Sequence, residues 1–420
     1  MRCLLLSIMV ALFATGCAKN IIKDTHSSTT PCDCLAKTSE QSIHLPVVES
    51  PKYPIGENTV AHLPEYGLLK PTKWEDIDGF QQDNLQQAWD AWLASCSVLI
   101  SKPAWKSVCE TAKMLAQVND QTIRAYFQRH FQAYLATNAE GHETGLITGY
   151  YEPVLRGSRI KSSQFPYPLY RQPADLVSVE MGELFPDLKF KRVRGKLVGD
   201  KLVPYYKRSE IESNPSPLTG EELVWVDDII ELFFLQIQGS GMIQLDAGNS
   251  MHVGYANQNG HAYQSIGKIL IARGELNADQ ASMQGIKNWA RNNPGKLRAL
   301  LHQNPSYVFF RELPTGLPGP IGALGVPISA ERSVAIDAKM IPLGAPLFLS
   351  TTFPNSNKAL KRMMLAQDTG GAIKGGVRAD FFWGTGEEAG KHAGAMKQQG
   401  KIWVLLPKTM ALSNKTATPP

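Results

Sequence analysis

Two aspartates, two glycine pairs and a block of three aromatics fall within the twenty residues from Leu365 to Gly384. Few backbones accept that order. Met363 to Ala366 is a short apolar run that reads as a buried strand. It stops at Asp368-Thr369-Gly370-Gly371, where glycine permits a sharp turn. A second pair, Gly375-Gly376, follows one short apolar step later, and Asp380 then stands directly before Phe381, Phe382 and Trp383. A carboxylate packed against rings is poorly solvated, which raises its pKa and suits it to general-acid work near neutral pH. The same residues also read as a turn aspartate, Asp368, and a loop-end aspartate, Asp380. The stretch by itself leaves both readings open.

The surrounding chain has the same punctuation. Val308–Arg311, Ser333–Ile336 and Leu347–Leu349 are short strands between Pro- and Gly-rich turns, and Lys401–Leu406 is a final strand, a density that predicts a small barrel. A helix is predicted over Gly386–Gln399. Upstream, Gln82–Ser101, Lys106–Gln117 and Asp120–Thr137 read as amphipathic helices, the last capped by Asp120. Their Trp89, Trp92, Phe127, Phe131 and Tyr134 read as core. Gly145–Tyr151 is a strand ending at Pro153. Further strands are expected near Lys189–Val198 and Phe233–Ile237. Helices are expected at Tyr263–Ala272 and Asp279–Arg291, the latter stopped by Pro294-Gly295. With 420 residues, 43% of them hydrophobic, the chain can bury two cores. The pattern supports an α+β or mostly-β body.

Several function classes are excluded. The net charge of +5 is mild and scattered, so no nucleic acid is implied. Gln238-Gly239-Ser240-Gly241 lacks the flanking glycines of a nucleophile elbow. Gly384 to Gly390 is misspaced for a dinucleotide loop, and there is no P-loop or HExxH. Neither His261 nor any cysteine has a partner at metal-ligand spacing, so no metal or organic cofactor is expected.

The N-terminus reads as a targeting segment: Arg2, an apolar run from Leu4 to Phe13, then Ala14-Thr15-Gly16-Cys17. Small residues before a cysteine are similar to a bacterial lipoprotein box, with Ala14 where leucine is usual. An ordinary cleaved signal leaving Cys17 as a free thiol is the other reading. The apolar run is too short to span a bilayer. Residues 18–53 are rich in Ser, Thr, Pro and His and read as a flexible tether. Export permits disulfides. Cys96 and Cys109 stand in neighbouring predicted helices and are the expected pair. Cys32 and Cys34 are too close in sequence to bridge comfortably.

Ala335-Ile336-Asp337, Ala366-Gln367-Asp368 and Arg378-Ala379-Asp380 together resemble the three-aspartate domain of the membrane-bound lytic murein transglycosylase A family. The match continues in Gly149-Tyr150-Tyr151-Glu152-Pro153, Gln238-Gly239-Ser240-Gly241, Tyr255 to Tyr263, Ser265-Ile266-Gly267-Lys268 and Asn304 to Phe310. The resemblance covers most of the chain from about Thr148 to Leu406. It implies a double-psi β-barrel domain interrupted by a second, smaller β-barrel domain, with a groove between them. The boundaries expected are 1–16 for a signal peptide, 17–53 for a lipid-linked tether and 54–152 for the helical first part of domain 1. An inserted domain 2 then occupies 153–307, the three-aspartate part of domain 1 occupies 308–407, and 408–420 is a disordered tail.

The function implied is a peptidoglycan lytic exotransglycosylase. It cuts between N-acetylmuramic acid and N-acetylglucosamine and leaves 1,6-anhydromuramic ends. Asp380 matches the catalytic acid/base. Asp368 is the second catalytic candidate, stabilising charge or orienting Asp380, and Asp337 is read as structural beside the turn at Ile341 to Gly344. Thr148, Tyr150, Gln238, Ser240, Asn257, Asn259 and Lys374 supply the polar types of a polysaccharide groove. Gly239 and Gly241 are positions where backbone can approach a ligand. Implied partners are glycan strands, the outer membrane through a lipid on Cys17, and other cell-wall synthesis or hydrolysis proteins. The implied location is the periplasmic face of that membrane. Two alternatives stay open: a muramidase in which Asp368 activates water, and a peptidoglycan-binding lipoprotein without catalysis.

Overall fold

A computed structural model describes residues 68–185, 188 and 193–410. Cys17, Cys32, Cys34, the tether and the tail from 411 lie outside the described residues.

The chain enters as β1 (Leu68–Thr72) and three helices, α1 (Gln86–Leu99), α2 (Pro103–Lys113) and α3 (Asp120–His130). The aromatic residues expected in the core are buried there, and Cys96 and Cys109 form a disulfide between α1 and α2. Two expectations fail in α3. Its cap is Asn119, which exchanges hydrogen bonds with Thr122 in a capping box, while Asp120 Oδ1 accepts the Gln86 N–H at the start of α1 at 3.0 Å. The helix also ends at His130, and Phe131–Thr137 is strand β2. Pairing with β1 on one side decides for strand there, where local pattern fits either state.

The next segment holds β3 (Gly145–Glu152), β4 (Val154–Ser158), β5 (Tyr167–Tyr170), β6 (Val177–Val179), β7 (Val193–Val198), β8 (Lys201–Val203), α4 (Arg208–Ile211) and β9 (Glu222–Val226). The strand expected at Phe233–Ile237 is instead helix α5 (Ile229–Gln238). Asp228 caps it by accepting from Ile230 and Glu231, and Gly239 ends it at φ 82. Its side chains are apolar nearly all round, so no helical period shows in the sequence. β10 (Ser240–Leu245), β11 (Ser250–Gln258), α6 (Ile266–Ala272) and α7 (Met283–Asn292) follow. Pro294 opens a further helix, α8 (Pro294–Leu301), besides stopping α7, because proline is tolerated in a first helical turn. The chain then gives β12 (Val308–Glu312), β13 (Ser333–Ile336), β14 (Pro346–Thr352), β15 (Ala359–Thr369), β16 (Ala379–Thr385), α9 (Glu387–Ala395) and β17 (Lys397–Pro407). The expected helix at 386–399 therefore stops early, and Lys397–Gln399 pair with β3 instead.

Six strands close into a barrel in the order β17-β14-β15-β13-β16-β3, with β3 returning to β17; β2 and β1 extend the sheet from β17. Two of the six pairs, β13 with β15 and β16 with β3, are parallel and the other four antiparallel, in keeping with the double-psi barrel expected. Helices α1 to α3 pack on this barrel and share its core. The chain leaves after β3 and builds a second six-stranded sheet, β12-β11-β10-β4-β9-β5. A parallel bridge from Arg171, just past β5, to Phe310 of β12 joins its outer strands into a smaller barrel around Leu155, Ile243, Val253 and Phe310. The mixed α and β fold with an interrupting smaller barrel is as the resemblance implies.

A cleft of about 1440 Å³ runs between the two barrels. Its walls include Thr148 and Tyr151 of β3 and Gly390 and Gly394 of α9 on one side, with Glu231 of α5 and Lys287 of α7 on the other. Gly149 sets one wall: a Cβ there would stand 2.6 Å from Trp383 Nε1 and 2.9 Å from Ala393 Cα, so only glycine lets β16 and α9 pack this closely on β3.

Candidate active site

Strand alternation sorts the residues around Asp380. Phe381 and Trp383 point into the barrel core, while Asp380 and Phe382 take the opposite face. Of the three aromatics after Asp380, only Phe382 shares its face, and Tyr150 of β3 supplies the second ring at 5.1 Å from Phe382. Tyr150, Ile328, Ala335, Ile373 and Phe382 form a small apolar cluster outside the barrel wall.

Asp380 sits directly opposite Thr148 in the parallel β16–β3 pair. Thr148 Oγ1 donates to Asp380 Oδ1 at 2.5 Å. Arg378 Nη2 donates to the same Thr148 oxygen at 2.9 Å. Asp368 lies in β15, which runs three residues past the expected end at Ala366 and stops at Thr369. Its Oδ2 accepts from Tyr150 Oη at 3.0 Å, and its Oδ1 accepts the N–H groups of Ala323 and Thr369, both at 2.9 Å. The bond to Thr369 is a turn aspartate's bond, so Asp368 serves the chain's turn and faces the cluster at once.

Burial pushes the Asp380 carboxyl up to about 6. The Thr148 hydrogen bond and the Arg378 charge pull the other way, and the neighbouring Asp368 charge adds to the rise. Burial also raises Asp368, against the two backbone bonds and Tyr150, which favour its ionised form. Tyr150 is raised well above its ordinary value, by burial first and by both aspartates after it, so it stays a hydrogen-bond donor. The two carboxyls are thus driven unequally: Asp368 keeps three donors and Asp380 keeps one among the described contacts. That difference makes Asp380, rather than Asp368, the carboxyl that keeps its proton to the higher pH.

Asp337 stands apart from this pair in its bonding. Its Oδ2 accepts the Gly375 N–H at 3.0 Å, its Oδ1 the Lys339 N–H at 3.2 Å, and its carbonyl starts the Met340–Ile341 turn. It ties the loop between β15 and β16 to the turn after β13. Gln238 Oε1 accepts the Tyr151 N–H at 3.0 Å and so holds the strand that carries Thr148 and Tyr150. Ser240 is buried at the start of β10. Asn257 lies on β11 of the second barrel, accepting from Arg194 Nε at 2.7 Å and donating to Ser178 Oγ. Asn259 donates to the carbonyls of Tyr206 and Pro305, and Lys374 is exposed in the loop before β16. The structure thus gathers Asp380, Asp368, Thr148 and Tyr150 in one cluster; Asn257 spends its side chain on β6 and β7, and Asn259 on the loops at Tyr206 and Pro305. The two glycines of the Gln238 motif differ: Gly239 ends α5 at φ 82 with open space where a Cβ would stand, whereas a Cβ on Gly241 would lie 2.3 Å from Leu235 Cδ1. Two contributors were not assigned a role from sequence, Arg378 and the Ala323 N–H. Arg378 was visible two residues before Asp380; Ala323 carries no side-chain signal at all.

Tyr150→Phe removes one of three donors to Asp368. A hydrogen bond to a charged group contributes about 1.5–3 kcal/mol, so activity is expected to fall ~10-fold or more with the fold intact. Steady-state rates together with an unchanged circular dichroism spectrum check this.

Residues 146–311 match the family model described as MltA specific insert domain, and residues 332–406 match that of the 3D domain. The curated membrane-bound lytic murein transglycosylase A of Escherichia coli K12 is 34% identical over 281 residues, covering 65% of this chain and 68% of that sequence. The chain belongs to the membrane-bound lytic murein transglycosylase A family. Among solved members of the family, MltA from Neisseria gonorrhoeae is 36% identical, with a TM-score of 0.71 over 84% of this chain and 98% of that one. The E. coli MltA structure with bound chitohexaose is 26% identical, with a TM-score of 0.61 over 83% and 97%. The aspartate cluster lies within the segments that match the two family models.

Proposed function

We propose that this chain is a lytic transglycosylase of peptidoglycan in which Asp380 serves as both acid and base. The observation that carries the mechanism is the Asp380 carboxyl raised to about 6 beside a partner, Asp368, that accepts more hydrogen bonds. Its relatives are named as murein transglycosylases, and one of them holds a chitin oligosaccharide, a β-1,4-linked N-acetylglucosamine chain.

In the first step protonated Asp380 gives its proton to the glycosidic oxygen as the bond to C1 of N-acetylmuramic acid breaks. Positive charge develops on that sugar ring, and ionised Asp368 offsets it. The C6 hydroxyl of the same residue then attacks C1, and its proton returns to Asp380. No water is consumed, and the product is a 1,6-anhydro ring. Attack within one residue is favoured by proximity. Thr148 and Tyr150 hold the two carboxyls in place. Gln238 supports their strand, while Ser240, Asn257 and Lys374 are proposed to contact or shape the path of the glycan. Asp337 is proposed to be structural.

Catalysis that needs protonated Asp380 is expected to fall as pH rises through about 6, giving the alkaline limb of the kcat/KM profile. The test of the reaction itself is mass spectrometry of muropeptides released from purified sacculi. Products ending in 1,6-anhydromuramic acid, each one water lighter than a hydrolysis product, are expected. Reducing ends as the main product would replace this reading with a muramidase. Tight binding without soluble product would replace it with a scaffold.

The division into an inserted domain at 153–307 and flanking parts at 54–152 and 308–407 is supported by the family matches at 146–311 and 332–406. The relatives are named membrane-bound. Among the described residues no helix is long and apolar enough to cross a membrane. A lipid on Cys17, holding the protein to the periplasmic face of the outer membrane, would supply the attachment. Cys17→Ser is then expected to move the protein from the membrane fraction to the soluble one or to stall its processing. A variant that matures and stays lipid-bound would rule this out.

A further inference from the structure

The reaction as drawn assigns no step to Arg378, yet its guanidinium is the most constrained group beside the acid. Nη1 donates to the Leu146 carbonyl on β3 at 3.3 Å and to the Ala379 carbonyl on β16 at 2.6 Å. Nη2 donates to Thr148 Oγ1 at 2.9 Å, and Thr148 Oγ1 donates to Asp380 Oδ1 at 2.5 Å. The order of donors in that chain is forced. A guanidinium has only donors and keeps its charge, and a threonine hydroxyl has one hydrogen. Thr148 therefore accepts from Arg378, and its hydrogen goes to Asp380 Oδ1. If Asp380 donated through Oδ1 instead, the Thr148 hydrogen would lose its acceptor.

We propose that Arg378 is a positioning residue for the glycan cleavage: it fixes the Thr148 hydroxyl as a donor to Oδ1 and so keeps the Asp380 proton on Oδ2, the oxygen that must deliver it. The inference rests on Asp380 being the acid. Without Arg378 the hydroxyl can turn, and the proton can settle on either oxygen, one of which faces Thr148 and is useless for transfer. The charge of Arg378 also favours ionised Asp380, against burial and against Asp368. The other polar groups facing the acid are Asp368 from β15 and Tyr150 from β3, and Lys397 of β17 is in register with Thr148.

A double-mutant cycle separates this role from simple support of the fold. Arg378→Ala, Thr148→Val, their combination and Asp380→Asn are compared on soluble glycan strands across the acid to neutral range. Arg378→Ala is expected to lower kcat ~10-fold or more, within the ~10²-fold that misplacing a reacting group costs, with KM little changed. Its alkaline limb moves to higher pH, since the charge that opposed protonation is gone. In the Thr148→Val background the same change adds less than ~2-fold, because groups acting through one another are not additive. Guanidinium ion in the buffer restores activity to Arg378→Ala and not to the double variant. Should Arg378→Ala fail to fold, Arg378→Lys, which lacks the planar fork, completes the same cycle. Fully additive losses, or no rescue with the pH profile unmoved, would overturn the inference while an inactive Asp380→Asn leaves the acid in place. An active Asp380→Asn would remove the acid assignment itself.

Discussion

Asp380→Asn is expected to lower turnover on purified sacculi by ~10²–10⁴-fold, the contribution of general acid–base catalysis, and by more if no second group takes over. The amide keeps the size of the carboxyl and can still accept from Thr148, but it cannot carry the proton in either direction. Binding of glycan strands is expected to survive, because Tyr150, Gln238 and Ser240 are untouched. Asp368→Asn is expected to cost less, since it removes only charge support. The same substitution has an opposite effect on stability. The Asp380 carboxyl has a folded-state pKa near 6, above its ordinary value of 3.8. The folded state therefore holds the proton more tightly than the unfolded one, and stability falls as pH rises from about 4 to about 6. At neutral pH the cost is up to about 3 kcal/mol, taking 1.36 kcal/mol per pKa unit. Asp380→Asn removes that cost and is expected to raise the unfolding midpoint at pH 7 and to leave it little changed at pH 4. A midpoint that drops at both values would mean that the acid is not destabilised by its surroundings. Near-wild-type turnover would move the catalytic role elsewhere, to Asp368 first.

Arg332→Met is expected to destabilise the protein by about 3–5 kcal/mol, the cost of leaving one member of a buried ion pair alone. Arg332 precedes β13 and meets Asp83, which lies before α1; both side chains are almost fully buried. The guanidinium also donates to the carbonyls of Met363 and Asn84 and to Gln87, and Asp83 accepts the Met363 N–H at 2.6 Å. This clamp holds the helical layer against β13 and β15, the strands beside Asp380 and Asp368. Urea unfolding with an unchanged m-value would read the loss directly. Removing both charges, Asp83→Leu with Arg332→Met, is expected to recover part of it, because no unpaired charge then remains. A single-variant loss below about 1 kcal/mol would show the clamp to be dispensable.

Parts of the fold were legible along the chain. Ser333–Ile336 is a strand with the ends expected, and Val308–Arg311 is one residue short. Such runs are short, apolar and bounded by Pro and Gly, so local chemistry decides them. The Cys96–Cys109 bridge is the pair expected from two neighbouring predicted helices behind a leader that reads as an export signal. Misreadings cluster where tertiary pairing overrides local pattern. Phe131–Thr137 becomes strand because β1 and β17 flank it, and Phe233–Ile237 becomes helix because Asp228 and Gly239 cap it and both its sides are buried.

At the site, the residue types and their order along the chain were set by sequence alone: an aspartate before aromatics, a second aspartate before a glycine pair, and an arginine two places from the first. Which of them meet was decided by the barrel. Thr148 and Asp380 are 232 positions apart and become neighbours only through the parallel β3–β16 register. The period of two turns Phe381 and Trp383 away from Asp380 and brings Tyr150 in their place. A pKa depends on what surrounds a group in space, and a parallel strand pair leaves no trace of its register in either strand.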